Sequence, residues 1–349
     1  MPIVIIGAGA IGGSLGAYLT QAGHDVLLVD TVAEHIARIK DPGLRMEGRK
    51  DFTIRIPAIA PDALAATLGG KAPELLVLAV KAQHTTAALE PLLPLLSDST
   101  TVLSMQNGLN PQEIMSLVGA HRTVGALLNS MATDYQEPGR IVFGGPGTVR
   151  IGELDGRITP RVERIVAMLR GCFVENTEAT DNIWGYLWGK EAYATWLFAQ
   201  ATSGDTVANV LDDPANRALL ANLAAEVIRV AEAEGVRVEA VDAFVPDVLR
   251  FGNARDSEGV RNSLAVMAAI SRPSHKPRSG IWRDLAVRRR STEVDAQLGA
   301  VVTMGAARGT PTPLVARLVE MIHQLERQEI EMGPHNLVEL RALDAKAYG

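Results

Sequence analysis

A single cysteine, Cys172, is all the thiol this sequence holds. One thiol closes no internal disulfide and builds no cysteine zinc cluster, so the composition points to a reducing, cytoplasmic setting. The seven histidines are scattered, none at a ligand-like spacing from the cysteine or a carboxylate, and no metal site is expected. Basic charge is short as well. Lys and Arg number 34 against 40 Asp and Glu, a net charge of −6, which gives no field for nucleic acid. The run Arg288-Arg289-Arg290 lacks supporting basic or stacking motifs. No apolar run approaches the ~20 residues that span a bilayer, and no basic n-region precedes the first one, so neither a membrane span nor a signal peptide is expected. What is abundant is apolar residue, 47% of 349, enough for two domains at roughly 100–200 residues each.

The most informative stretch is the first. Ile3-Val4-Ile5-Ile6 reads as a buried parallel strand, and Gly7-Ala8-Gly9-Ala10-Ile11-Gly12 follows at G-x-G-x-x-G spacing. Gly7 permits a tight turn, Gly9 lets a pyrophosphate reach the backbone, and Gly12 lets helix and strand pack closely. The pyrophosphate would sit on the N–H groups of Ala10 and Ile11 at the helix N-terminus. A second strand, Val26–Val29, ends in Asp30, which lies 18 positions past Gly12, where the fingerprint expects a ribose-binding carboxylate. A carboxylate accepts from a ribose 2′-OH and repels a 2′-phosphate. No Lys or Arg follows closely, so NAD is expected in preference to NADP.

Short apolar runs alternate with helical stretches through the first half, the pattern of a Rossmann-type doubly wound parallel sheet. A small hairpin is expected over 44–47 and 52–56, strands over 75–80, 101–105, 123–128, 140–143 and 148–152, and a last strand at Cys172-Phe173-Val174. From Asn182 the periodicity is helical, over roughly 182–202, 207–235, 239–252, 257–271, 280–307 and 312–330. The expected layout is a dinucleotide-binding domain over 1–178 and an all-α substrate and dimerisation domain over 179–349.

Candidate chemistry falls in three places. Lys81 and Asn107 follow strands at the edge where open α/β sheets bind ligands. Alone, Lys81 reads equally as a snorkelling surface lysine and Asn107 as an ordinary Asn-Gly turn. Lys190 ends Trp184-Gly185-Tyr186-Leu187-Trp188-Gly189-Lys190; partly desolvated, its pKa would fall toward the working pH and suit a general acid to a carbonyl oxygen. The third place is Ser279–Asp295. On one continuous helix Trp282, Ala286, Arg289 and Glu293 would share a face, with Arg289 or Arg283 holding a substrate carboxylate.

Together, the glycine loop, Val80-Lys81-Ala82, Gln106-Asn107-Gly108, Trp188-x-Lys190 and Thr292-Glu293-Val294-Asp295 resemble the ketopantoate reductase family (2-dehydropantoate 2-reductases). The resemblance implies a Rossmann domain joined to a helical domain like that of the 6-phosphogluconate dehydrogenase superfamily, and a homodimer. It implies Lys190 as the catalytic general acid and Glu293 bonding the substrate hydroxyl or orienting the lysine. Asn107 would contact cofactor and substrate, Lys81 would line the cofactor site, and the family's substrate serine falls on Ser279. The family usually places asparagines four and eight residues after its lysine; here Ala194 and Phe198 stand there and cannot make those hydrogen bonds. Members commonly use NADPH and carry a basic residue where this chain has Asp30.

The sequence thus reads as an NAD(H)-dependent oxidoreductase of a small-molecule carboxylate, a 2-oxo or 2-hydroxy acid or a related carbonyl/alcohol pair other than ketopantoate. Authentic 2-dehydropantoate 2-reductase with NADPH, and a non-catalytic NAD-binding sensor, are the alternatives.

Overall fold

The computed structural model describes residues 2–145, 147–252, 255–273 and 277–349. The chain divides into two compact units, Met1–Ile183 and Trp184–Gly349.

The strands of the first unit are β1 (Ile3–Ile6), β2 (Val26–Val29), β3 (Leu44–Gly48), β4 (Phe52–Ile54), β5 (Ala58–Ile59), β6 (Leu75–Leu78), β7 (Thr101–Ser104), β8 (Thr123–Asn129), β9 (Thr133–Glu137), β10 (Arg140–Phe143), β11 (Thr148–Glu153) and β12 (Thr177–Ala179). Its helices are α1 (Ala10–Gln21), α2 (Ala33–Arg38), α3 (Leu64–Leu68), α4 (Thr85–Leu89), α5 (Pro111–Val118) and α6 (Pro160–Cys172). Eight strands form one sheet in the order β12-β11-β8-β7-β6-β1-β2-β5, parallel except where β11 runs against β8. Strands with no polar position need helices on both faces, and the packing shows the alternation. Ile5, Leu28, Val77 and Leu103 enter one core with Leu15, Leu19 and Val162. Val4, Ile6, Leu27, Leu76 and Val102 enter the other with Leu64, Leu89 and Ile114. This is the doubly wound arrangement the sequence leads one to expect. The chain leaves β1 for β2 and β5 on one side, then crosses to β6, β7 and β8 on the other, which puts the topological switch between β1 and β6.

A second sheet, β4-β3-β10-β9, contains the expected β3–β4 hairpin and packs on α1. Phe52 and Phe143 meet Tyr18 of α1 edge-on, with centroids 5.3 and 5.5 Å away. Gly13 admits that approach, since a Cβ there would stand 2.5 Å from Ile141 Cδ1.

The second unit is helical: α7 (Ile183–Ser203, starting at the boundary), α8 (Val207–Asp212), α9 (Arg217–Ala233), α10 (Ser257–Ser271), α11 (Gly280–Arg283), α12 (Ala300–Ala307), α13 (Pro313–Glu326) and α14 (Pro334–Tyr348). Helix α9 runs through its core, and Trp196 of α7 donates its indole N–H to Leu220 O at 2.8 Å. Glu226 of α9 is fully buried but not wasted. It accepts the N–H groups of Leu314 and Val315 at the start of α13 and the Tyr348 hydroxyl of α14. Burial still wins over those three bonds and pushes its carboxyl above the usual range.

Several expectations need correction. Cys172-Phe173-Val174 is not a strand. Thr159 caps α6, Pro160 opens it, and Phe173 and Val174 extend its core face past Leu169; the last strand is β12. The helix expected over 207–235 breaks at Asp213-Pro214, where Asp213 Oδ1 takes Ala215 N–H. Over 239–252 a bridge between Val241 and Phe244 and a turn at Pro246–Leu249 replace the helix, and the start of the segment lies against α7. Glu239 N–H donates to Gly185 O, and a Cβ on Gly189 would stand 2.3 Å from Glu239 O. The helix expected over 280–307 is interrupted between Arg288 and Asp295, with Arg289 left-handed at φ +46°. Among the described residues no helix is long and apolar enough to cross a membrane.

Candidate active site

In the first unit, parallel pairing brings the carboxyl ends of β1, β2, β6 and β7 to one edge, and with them Gly7, Asp30, Lys81 and Asn107. Gly7 has φ +94°, and a Cβ there would meet the backbone of Ala79 and Val80 within 3 Å. A Cβ on Gly12 would meet Gly7 O. Both glycines therefore answer to crowding by the protein itself. Gly9 does not. Its φ is −66°, which any residue adopts, and a Cβ there would have nothing within 4 Å. As the N-cap of α1 it makes no side-chain cap bond, and the first helical N–H groups, those of Ala10 and Ile11 among them, have no partner inside a helix. Open space over N–H groups at a helix N-terminus is the shape a pyrophosphate needs, and the residues fit a dinucleotide.

Asp30 stands at the end of β2, half-buried. Its Oδ2 accepts the N–H of Ala8 at 2.8 Å and its Oδ1 that of Val32 at 2.9 Å. A carboxylate has about four acceptor positions, so two remain for a ribose diol. Lys81 caps the short turn Ala82–His84 and is half-buried; Asn107 is exposed at the end of β7. Sequence reasoning quoted Gln106 beside Asn107 but gave it no role. Its buried amide donates to Val80 O at 3.0 Å and to Thr85 Oγ1 at 2.9 Å, tying the loop after β7 to the loop after β6.

In the second unit, Lys190 lies near the middle of α7, half-buried. Burial drives its pKa below the ordinary 10.5, and the carboxylates of Glu191 and Glu293 pull the other way. Burial prevails, so the ammonium gives up its proton more readily than a surface lysine does. The same balance shows that Glu293 acts on Lys190 electrostatically despite the broken helix between Arg288 and Asp295. Glu191, buried beside the lysine, was not singled out in the sequence; a Lys-Glu pair inside an apolar helix was the available signal. Tyr193, one turn on, has its phenol pushed up to about 12 by burial and by Asp242, and packs with Trp196 and Phe244.

The segment that carries Glu293 is braced from α13. Glu326 Oε1 accepts both the N–H and the hydroxyl of Thr292, at 2.7 and 2.8 Å. Ser279 is buried as the N-cap of α11, accepting Trp282 N–H, and its own N–H donates to Gln200 Oε1 on α7 at 3.1 Å. Ala194 is buried, and Phe198 presents no surface to solvent, so Phe198 belongs to the core rather than to an open pocket wall. Arg289 does not share a helical face with Glu293; it is exposed at the left-handed break. Its neighbours Arg288 and Arg290 both bind the buried Asp284. Arg283, the last residue of α11, is half-buried. Among the described residues no group of His, Cys, Asp or Glu is arranged to hold a metal ion.

Comparison with known proteins identifies the family. The family model described as ketopantoate reductase PanE/ApbA matches residues 3–156, and that of the ketopantoate reductase PanE/ApbA C terminal matches residues 182–326. A 2-dehydropantoate 2-reductase of Mesorhizobium japonicum is 28% identical over 93% of this chain and 98% of its own. A solved PanE/ApbA family ketopantoate reductase from Ralstonia eutropha is 26% identical, with a TM-score of 0.76 over 94% of this chain and 99% of that one. A D-mandelate dehydrogenase, solved with NADH and anilino(oxo)acetate, shares the fold at 23% identity and a TM-score of 0.79, over 94% and 99% of the two chains. Matched in order along both units, the chain belongs to the ketopantoate reductase family, NAD(P)-dependent oxidoreductases acting on CH–OH groups.

Proposed function

We propose that this protein interconverts a 2-oxo acid and its 2-hydroxy acid with NAD(H), on a substrate more apolar than ketopantoate. The observation that carries the reading is Lys190, a lysine whose pKa burial lowers while Glu191 and Glu293 oppose it. Perturbation of that kind, in a lysine held by a family motif, marks an acid–base group. A dinucleotide held on Gly7, Gly9 and Gly12 would supply or accept the hydride. In reduction, Lys190 Nζ gives a proton to the substrate oxygen as negative charge develops there; in oxidation, neutral Lys190 takes that proton back. Glu293 bonds the substrate hydroxyl or orients the lysine, Asn107 contacts cofactor and substrate, and Lys81 lines the cofactor site.

NAD is favoured over NADP by Asp30, whose carboxylate a 2′-phosphate would meet as like charge. A substrate other than ketopantoate is favoured by Ala194, which offers no amide where the family usually has one. A polar substrate group facing it would lose its partner, which disfavours that substrate. Arg283 is the better candidate for the carboxylate, being half-buried, whereas Arg289 is exposed. Ser279, committed as a helix cap, would contact substrate through its remaining lone pair. A homodimer and a cytoplasmic location are carried as part of the same reading.

Authentic 2-dehydropantoate 2-reductase with NADPH is the second reading, favoured by the names of the relatives. A dinucleotide sensor is disfavoured because binding alone needs neither Lys190 nor Glu293. Oxidation of NADH and NADPH, side by side, with ketopantoate and a panel of bulkier 2-oxo acids including aromatic ones, tests the reading. NADH with an apolar acid supports it. NADPH with ketopantoate replaces it with the second reading.

A further inference from the structure

His35 is 1% exposed, yet both its ring nitrogens have partners on different parts of the first unit. Nδ1 accepts the N–H of Gly139, at the turn between β9 and β10, at 2.9 Å. With Nδ1 accepting, the neutral ring carries its proton on Nε2, and Nε2–H donates to Ala8 O in the glycine loop at 2.8 Å. Tyr135 of β9 packs edge-on against the ring, 5.0 Å between centroids. The second sheet touches the loop again through Thr133, whose hydroxyl donates to Ala10 O at 3.1 Å.

Ala8 is therefore gripped on both sides, its N–H by Asp30 and its carbonyl by His35. A trans peptide points its C=O and N–H in opposite directions. Fixing Ala8 O toward His35 aims the N–H of Gly9 away from it, and Gly9 is the residue with open space beside it. A leucine would fill this buried position with less desolvation; a histidine supplies what a leucine cannot, one donor and one acceptor.

We infer that His35 is a positioning residue for the dinucleotide, orienting the Ala8–Gly9 peptide from the second sheet. This rests on the reading of the glycine loop as a dinucleotide site, and goes beyond it by giving the second sheet a part in cofactor affinity.

The test uses NADH, the full-length protein and three variants. His35→Leu removes both bonds. His35→Asn keeps an acceptor near Nδ1 for Gly139 but is too short to reach Ala8 O. His35→Gln carries a donor and an acceptor at the length of Nε2. Losing one or two hydrogen bonds of ordinary strength should raise the Kd for NADH about tenfold in His35→Leu and His35→Asn. The KM for NADH should rise with it, and kcat at saturating NADH should hold within about twofold, since the reacting groups are untouched. His35→Gln should return the Kd to within about threefold of wild type. A merely structural histidine would lower Tm and leave the Kd and the split between KM and kcat alone. Folded His35→Asn binding NADH as wild type does would overturn the assignment even if His35→Leu failed to fold. Wild-type protein that bound neither NADH nor NADPH would instead defeat the dinucleotide reading beneath it.

Discussion

A Cβ on Gly12 would stand 1.9 Å from the carbonyl oxygen of Gly7. That separation is far inside van der Waals contact, and the atom in the way is backbone, so the first turn of α1 cannot carry a side chain there. At Gly9 a Cβ meets nothing, so packing accounts for Gly12 and not for Gly9, which the proposed reading assigns to the dinucleotide. Gly12→Ala should lower Tm sharply or prevent folding, by about 3 kcal/mol or more if the clash is relieved as other overpacked sites relieve it. Gly9→Ala should keep the wild-type Tm and bind NADH at least about tenfold more weakly. Thermal denaturation and NADH titration of the pair would show it; equal effects on both measurements would mean the two glycines share one role.

On the proposed reading Asp30 would do two things at once, because the carboxylate that would face a ribose also holds Ala8 N–H. Asp30→Asn keeps an oxygen for one of the backbone N–H groups and removes the charge. It should therefore weaken NADH binding moderately while narrowing the preference over NADPH. Asp30→Ala should weaken both dinucleotides, since the loop loses its anchor. The ratio of kcat/KM for NADH and NADPH measures the first effect and the Kd values the second. An unchanged ratio in Asp30→Asn would remove Asp30 from cofactor choice.

Lys190 also bears on stability, and the sign follows from its lowered pKa. Below the folded-state value, both folded and unfolded chains hold the proton, and the burial penalty is fully present. As pH rises through that value toward 10.5, only the folded chain sheds the proton, so stability rises over that window. Lys190→Met removes the penalty, so it should melt higher than wild type near neutral pH, with the gap closing at alkaline pH. A lower Tm for Lys190→Met across the range would contradict the direction of the shift.

Glu293 raises the pKa of Lys190 against burial. Glu293→Gln removes that charge, so the lysine should lose its proton at lower pH. The alkaline limb of the reductive kcat profile, where the proton donor is lost, should move to lower pH, and the acid limb of the oxidative profile should move the same way. Profiles of kcat in both directions check this. Limbs that stay in place would leave Glu293 without influence on the lysine.

Strands β1, β2 and β6 were legible because each is a short apolar run with no polar position, and a both-faces-covered strand leaves no other pattern; β5 and β12, two and three residues long, are too short to show one. Asp30 and the glycines were legible for the same reason, since their spacing from those strands is fixed by the βαβ unit. Strand β9, Thr133-Asp134-Tyr135-Gln136-Glu137, was not, because an edge strand with little burial shows no alternation. His35 was invisible too: its partners, Ala8 and Gly139, lie 27 and 104 residues away and are backbone atoms. Residues 280–307 read as one helix because apolar spacing continues through them. The helix ends where Arg289 turns left-handed and Arg290 folds back on Asp284, its N–H to the Asp284 carbonyl and its guanidinium to the carboxylate, a six-residue return that helical periodicity does not encode. In α7, Gly185 and Gly189 at i,i+4 carried a signal that went unused, since two glycines in a helix interior imply something crossing close by.

The most direct test of the account is to measure turnover and NADH affinity together in wild type and Lys190→Ala, with the best 2-oxo acid from the panel. Lys190 lies on the helical unit and the glycine loop on the other, so the account requires the Kd for NADH to stay within about twofold while kcat falls by about a hundredfold or more, the size of a lost general acid. A variant that turns over at near the wild-type rate, or that loses NADH binding in step with activity, would contradict Lys190 as the group that moves the proton.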